Sequence, residues 1–246
     1  MVLDSPVLSA TDVDTVRAYR RRLLWQGDDR PATLVRELID SATLPMNEVG
    51  HVVSVVYEFA GPTTLERLLA ARLRGKARRT WRWINSLGAK EMTNDNIPMV
   101  LETDLVAGIA HGTLGFGAGP DGLPLDPRAG FADTAAHAPA FTGDAVDLPA
   151  HLPHFTWPTA VVSGERDLRT PRPIAERTAS LLPNAVLVEL PDTGHSALDT
   201  HQLAALHIAH RIAAGNLDTL AQQAPASRRF PDAARPTCSA PSSRPR

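Results

Sequence analysis

Two short apolar runs, Thr159 to Ser163 and Ala185 to Leu190, constrain this chain more than any other feature. Each is continuous, each is shorter than a helix needs, and a helical pattern follows each, as in strands buried on both faces of a parallel sheet. Between them, Thr170-Pro171 reads as an N-cap with proline at the first helical position. Ile174, Ala175, Thr178, Leu181 and Leu182 give that helix one apolar face, and Pro183-Asn184 ends it. A final helix from about Leu198 to Ala214 turns Ala205, Ile208, Ala209 and Ile212 inward. The order βαβα predicts parallel neighbouring strands joined by a right-handed crossover, hence an α/β fold.

Upstream, Val2 to Leu3 reads as the end of a buried strand, broken by Ser5-Pro6. Residues 11 to 85 form a helical block. Thr11 and Asp14 fit a capping box ahead of Val16, Tyr19 and Leu23; Leu34, Val35, Leu38 and Ile39 make a second stripe; Val49, Val52, Val53 and Val56 make a third, ended by Gly61-Pro62. A fourth starts at Thr63 with Glu66 three residues on, buries Leu65, Leu68, Leu69 and Leu73, and stops at Gly75. Residues 97 to 157 read as a long irregular connection. The chain thus divides into 1–10 (start of a core), 11–157 (helices and connection), 158–214 (the βαβα unit) and 215–246, a proline-punctuated tail expected to be disordered.

With 246 residues and 43% hydrophobic content, the chain is long enough for one sizeable core and a smaller appendage. A formal charge of -2 gives no global attraction to nucleic acid or to an anionic membrane, so neither is expected as a partner. Cys238 is the single cysteine, which excludes an intramolecular disulfide and a CxxC metal knuckle. No basic-then-apolar leader opens the chain and no run reaches the roughly 18 apolar residues of a membrane span. The chain as written is therefore expected to be cytoplasmic, with a signal on a longer parent chain left open.

The chemistry concentrates in two loops, Ser163-Gly164-Glu165-Arg166-Asp167-Leu168-Arg169-Thr170-Pro171 and Leu190-Pro191-Asp192-Thr193-Gly194-His195-Ser196. Neighbouring parallel strands lie about 4.8 Å apart, and residues just past their carboxyl ends emerge on one edge. Asp167 is thereby expected to face His195, a carboxylate fixing the tautomer of an imidazole that acts as general base. Taken alone, Asp167 would be an ordinary turn or capping carboxylate. Glu165 and Asp192 are alternative acids, read more simply as solvated loop carboxylates.

These residues resemble the α/β-hydrolase superfamily, within it the proline iminopeptidases and related tripeptidyl aminopeptidases. Gly164-Glu165-Arg166-Asp167 with Thr170-Pro171 is similar to that branch's turn after the seventh strand, where the aspartate is the triad acid. Gly194-His195-Ser196 is similar to the turn after the eighth strand, which carries the triad histidine. Val2-Leu3-Asp4-Ser5-Pro6 looks like the sixth strand and its exit, followed by a helical cap. The resemblance covers roughly residues 1 to 214. It implies a partial α/β-hydrolase fold, the last parallel strands of the sheet plus a cap, with Asp167 and His195 as catalytic residues, a small ester or peptide substrate, and no cofactor or metal.

One departure matters as much as the match. In this fold the nucleophile sits on a G-x-S-x-G strand-to-helix turn ahead of the acid and the histidine, and no G-x-S-x-G occurs in these 246 residues. Ser5, Ser9, Ser163 and Ser196 lie nearest the relevant loops, but none has an elbow's small flanking residues. Losing the nucleophile of such a triad costs on the order of 10⁶-fold in turnover. The resemblance therefore implies an N-terminally truncated hydrolase of little activity alone, whose exposed sheet edge predicts self-association.

Other features invite weaker readings. Arg67, Arg72, Arg74, Lys76, Arg78, Arg79 and Arg82, interleaved with Trp81 and Trp83, read as a solvated cap face with tryptophans lining a substrate entrance; the competing reading is a module for nucleic acid or an anionic surface. That basic cap carries the alternative function, a non-catalytic remnant or interaction module. His201, His207 and His210 read as surface histidines rather than a metal site. Gly117-x-Gly119-x-x-Gly122 matches a dinucleotide fingerprint only formally, since Pro120 and the following prolines prevent a helix from opening there. His111-Gly112 is similar to the His-Gly of hydrolase oxyanion loops but occupies the wrong place in the chain order.

Overall fold

A computed structural model describes residues 1–87, 119–130 and 146–223, with Gly112, Gly115, Gly117 and Ala132 between them. Three parallel strands, β1 (Val2–Asp4), β2 (Thr159–Gly164) and β3 (Ala185–Leu190), form a sheet in that spatial order. Val2 pairs with Ala160 and Thr159 with Ala185, so strands distant in sequence end on a common edge. β2 is buried at all six positions because it has a strand on either side and helices on both faces. β1 and β3 are only half-buried, so the expectation of buried strands at Val2–Leu3 and Ala185–Leu190 is corrected: each has a neighbouring strand on one side only.

One face of the sheet packs Val161, Leu3 and Leu187 against Leu8, Leu152 and the helix α6 (Arg172–Leu181). α6 is N-capped by Pro171 without a side-chain bond, and its early proline is Pro173. Thr170 is therefore not the cap; its hydroxyl is used elsewhere. The other face packs Ala160, Val162, Val188 and Leu190 against α7 (Ala197–Thr200), α8 (Gln202–Ala213) and α9 (Leu217–Gln223). The single final helix expected from Leu198 to Ala214 is broken at His201, and its buried stripe is Ala204 and Ile208, with Ala209 exposed. α9 was not anticipated. Leu217 and Leu220 are buried in the same cluster, so the start of the expected tail belongs to the core; residues 224–246, Cys238 among them, lie outside the described residues.

The cap is α1 (Asp12–Leu24), α2 (Arg30–Asp40), α3 (Met46–Leu73) and α4 (Arg78–Asn85). The predicted stripes Leu34, Val35, Leu38, Val49, Val52, Val53, Leu65 and Leu69 form its core. α3 is kinked at Gly61, whose φ of 78° only glycine adopts without strain, and Pro62 follows where a helix restarts. The Thr11 capping box does not form. Thr11 is helical and caps nothing, while Asp12 accepts the N–H groups of Leu8 and Ser9 and pairs with Arg177 on α6.

The connection is tied down where it is described. Asp121 takes a two-pronged bond from Arg21 at 2.8 and 2.6 Å, which holds its carboxyl below the usual range, and Arg17 spans Asp121 and Asp126. Gly122 runs into a turn and, at Pro127–Gly130, a short 3-10 helix; Ala118 of the formal dinucleotide motif and His111 lie outside the described residues. α5 (Leu148–His151) leads into Leu152, which packs on the sheet, so the end of the expected connection already belongs to the core.

Candidate active site

The carboxyl ends of all three strands contribute to one cluster. The loop after β2 carries Asp167, whose side chain is completely buried; the loop after β3 carries His195, whose side chain is about a quarter exposed at 26%. His195 Nδ1 lies 3.2 Å from Asp167 Oδ2. The two residues that sequence reasoning singled out are thus brought together, 28 positions apart in the chain.

The aspartate is held from several directions. Its Oδ1 accepts the backbone N–H groups of Arg169 at 2.8 Å and Thr170 at 2.9 Å, closing a side-chain turn of the kind aspartate favours. Its Oδ2 faces His195 and the Thr170 hydroxyl, 2.9 Å away. Burial pushes this carboxyl's pKa up, but the hydrogen bond and charge of His195 and the two backbone donors outweigh it, leaving the group below its ordinary value. An ionised, acceptor-only carboxylate dictates that His195 keeps its proton on Nδ1. Among the described residues Nε2 has no partner, so its lone pair is available to a proton on the solvent side.

β1 supplies the third support. Ser5 ends it with a positive φ of 51°, and its carbonyl accepts the Thr170 hydroxyl at 3.0 Å. Its Oγ donates to Asp4 Oδ1 at 3.2 Å and accepts the N–H of Ser196 at the same distance. Asp4 Oδ2 accepts the N–H of Leu198 in α7. Ser5 thus ties the acid loop to the histidine loop, with its hydroxyl engaged by Asp4 and Ser196 rather than by His195. Ser163 is buried in β2, and among the described residues its Oγ has no partner. Glu165 and Asp192, the alternative acids, are exposed and bond to each other through Asp192 N–H and Glu165 Oε2 at 2.8 Å, as solvated loop residues do. Arg166 reaches the Asp192 carbonyl, joining the same two loops.

The cap grips the acid loop. Leu168, next to Asp167, is fully buried in the cap's own core. Its N–H donates to Glu58 Oε1 at 2.9 Å and its carbonyl accepts Arg20 Nε at 2.7 Å, so α3 and α1 hold both polar groups of one peptide residue. Glu58, 2% exposed, also pairs with Arg169 at 3.4 Å, and its backbone packs so close to Gly194 that a Cβ there would stand 3.2 Å from its carbonyl. Burial raises the Glu58 pKa, as does the Asp167 charge, against the opposing pull of Arg169, Arg20 and the Leu168 N–H. Glu58, Arg20 and Leu168 were missed from sequence, because a glutamate inside a helical stripe carries no local signal of a partner 110 positions away. Thr170 was noticed, but for a capping role it does not have.

Trp81 does not frame the histidine. Trp81 is buried in the cap core and donates to Glu48 at 2.7 Å, ten residues and so about 15 Å along α3 from Glu58, while Trp83 is 63% exposed. Among the described residues no group of three or more histidine, cysteine or acidic side chains is placed to hold a metal, and no helix is long and apolar enough to cross a membrane.

The arrangement defines a mixed α/β chain with a small parallel sheet, a helical cap and a buried carboxylate paired with a partly exposed imidazole at the sheet's carboxyl edge. No protein-family model, curated protein or solved structure matches this chain.

Proposed function

We propose that this chain carries the acid and base of a serine-hydrolase triad of the α/β-hydrolase kind, peptidase or esterase in class, acting on a small ester or peptide. One observation carries the reading: Asp167 bonds Nδ1 of His195, while among the described residues Nε2 has no partner. In such a pair the aspartate orients the ring and stabilises the imidazolium, and Nε2 removes a proton from a hydroxyl nucleophile and returns it to the leaving group. The attacking serine is not supplied by a G-x-S-x-G turn in these 246 residues, so hydrolysis requires that a nucleophile-bearing segment be joined to this one. No metal is needed for this chemistry.

A fluorophosphonate probe on the purified chain should label nothing. The chain should then be fused, ahead of Met1, to the nucleophile-bearing half of a proline iminopeptidase and assayed with proline p-nitroanilide and p-nitrophenyl acetate. Turnover that disappears in His195→Ala supports the proposal. Labelling of the chain alone, or turnover in a folded fusion that is indifferent to His195, sinks it.

A further inference from the structure

The Thr170 hydroxyl stands where the three strand ends meet. Its oxygen lies 2.9 Å from Asp167 Oδ2, 3.0 Å from the Ser5 carbonyl and 3.3 Å from His195 Nδ1. Thr170 is buried and the Asp167 side chain completely so, which leaves protein groups to satisfy both.

An ionised carboxylate offers about four acceptor positions. At Asp167, Oδ1 takes the backbone N–H groups of Arg169 and Thr170, and Oδ2 takes the ring N–H of His195. The Thr170 hydroxyl is the donor that completes the set. Its single proton faces two acceptors, and the charged one draws it more strongly, since a hydrogen bond to an ionised group is roughly twice as strong as one between neutral groups. The Ser5 carbonyl then takes the lesser branch of a three-centre bond. The ring proton is divided in turn, because Nδ1 is 3.2 Å from Oδ2 and 3.3 Å from the threonine oxygen.

We infer that Thr170 is a positioning residue for His195: its hydroxyl donates to the carboxylate oxygen that His195 uses and accepts part of the same ring proton. The imidazole is thereby held by two loop residues at once. The purpose of this arrangement rests on the reading of His195 as a general base, whereas the bond pattern is read without any turnover. In Thr170→Val, Oδ2 keeps one donor and the ring proton keeps one acceptor, so the Asp167–His195 bond tightens.

Nitrogen-15 NMR of the full chain labelled in histidine, at neutral pH, tests this, with the His195 signals identified by their absence from His195→Ala. Because no hydrolysis is measured, a failure here is distinct from a fusion that does not turn over. The Nδ1 nitrogen and its proton should move downfield in Thr170→Val, as a stronger hydrogen bond deshields both, with the proton still on Nδ1. Thr170→Ser should return both signals to the parent positions. A role limited to packing would give the opposite order, since valine keeps the methyl that serine lacks. Should the valine variant fail to fold in thermal melting, Thr170→Cys, whose thiol is a weak donor, should move the signals in the same direction. The inference is overturned if the folded valine or cysteine variant keeps the parent signals or shifts them upfield, or if the serine variant departs from the parent as far as the valine variant does.

Discussion

Glu58 Oε1 accepts the backbone N–H of Leu168 at 2.9 Å, so a cap helix and the loop bearing Asp167 share one buried hydrogen bond. Since Arg20 holds the Leu168 carbonyl and the Leu168 side chain fills the cap core, the cap fixes the peptide adjoining Asp167. The cap in this sense helps to position Asp167.

Glu58 and Asp167 respond to pH with opposite signs. The Asp167 pKa is depressed on folding, so its contribution to stability is present above the ordinary aspartate value of about 3.9 and is lost as pH falls through the folded value. The Glu58 pKa is raised, so the native state binds the extra proton between the ordinary glutamate value of about 4.3 and the folded value, and stability declines as pH rises across that window. The groups facing Glu58 are Arg169, Asp167, Arg20 and the Leu168 N–H. Glu58→Gln keeps an acceptor for that N–H and removes the titration. Urea midpoints measured from pH 3 to 8 should lose the decline above about pH 4.3 in the variant and keep the loss at lower pH; identical slopes in both proteins would contradict this assignment.

Asp167→Asn should exchange the histidine tautomer. An amide can present N–H groups to Nδ1, which moves the ring proton to Nε2 and removes the basic lone pair from the open side. Nitrogen-15 NMR of labelled histidine reads this directly: Nδ1 protonated in the parent at neutral pH, Nε2 protonated in the variant. A parent spectrum with the proton already on Nε2 would refute the general-base geometry.

Leu168→Ala removes a fully buried side chain from the cap core and should destabilise the chain by about 2–5 kcal/mol in urea unfolding. Because Leu168 bridges cap and acid loop, amide exchange should speed up at Arg169 and Thr170 as well as in α3. A loss below about 1 kcal/mol would mean that the loop is not anchored by the cap.

Gly164 closes β2 where the two loops touch. A Cβ there would meet the Gly194 carbonyl and stand 2.8 Å from that of Thr193, both rigid backbone atoms. Gly164→Ala should therefore cost at least the roughly 1–3 kcal/mol of core overpacking and displace the His195 loop. Thermal melting together with the His195 ring signals checks both parts; a variant as stable as the parent, with unchanged signals, would rule out this close contact.

Much of the fold was legible because its signals are local. The runs Thr159 to Ser163 and Ala185 to Leu190 can bury their side chains only as strands, and stripes such as Val49, Val52, Val53 and Val56 have helical period. The errors fell where a side chain served a distant partner. Thr170 looked like a cap because threonine before proline usually is one, yet its hydroxyl turns to Asp167 and Ser5. α9 escaped notice because seven residues with two buried leucines form no recognisable stripe until β3 is there to cover them.

The sequence by itself determined that one carboxylate and one imidazole would leave adjacent parallel strands, since strand order and loop length place Asp167 and His195 on one edge whatever packs around them. Tertiary structure alone decided how that pair is held. Glu58, Arg20, Ser5 and Thr170 come from four separate segments, and hydrogen bonds between residues 110 to 165 positions apart leave no periodicity in the chain. Only the closing of the cap onto the sheet turns those scattered polar groups into partners.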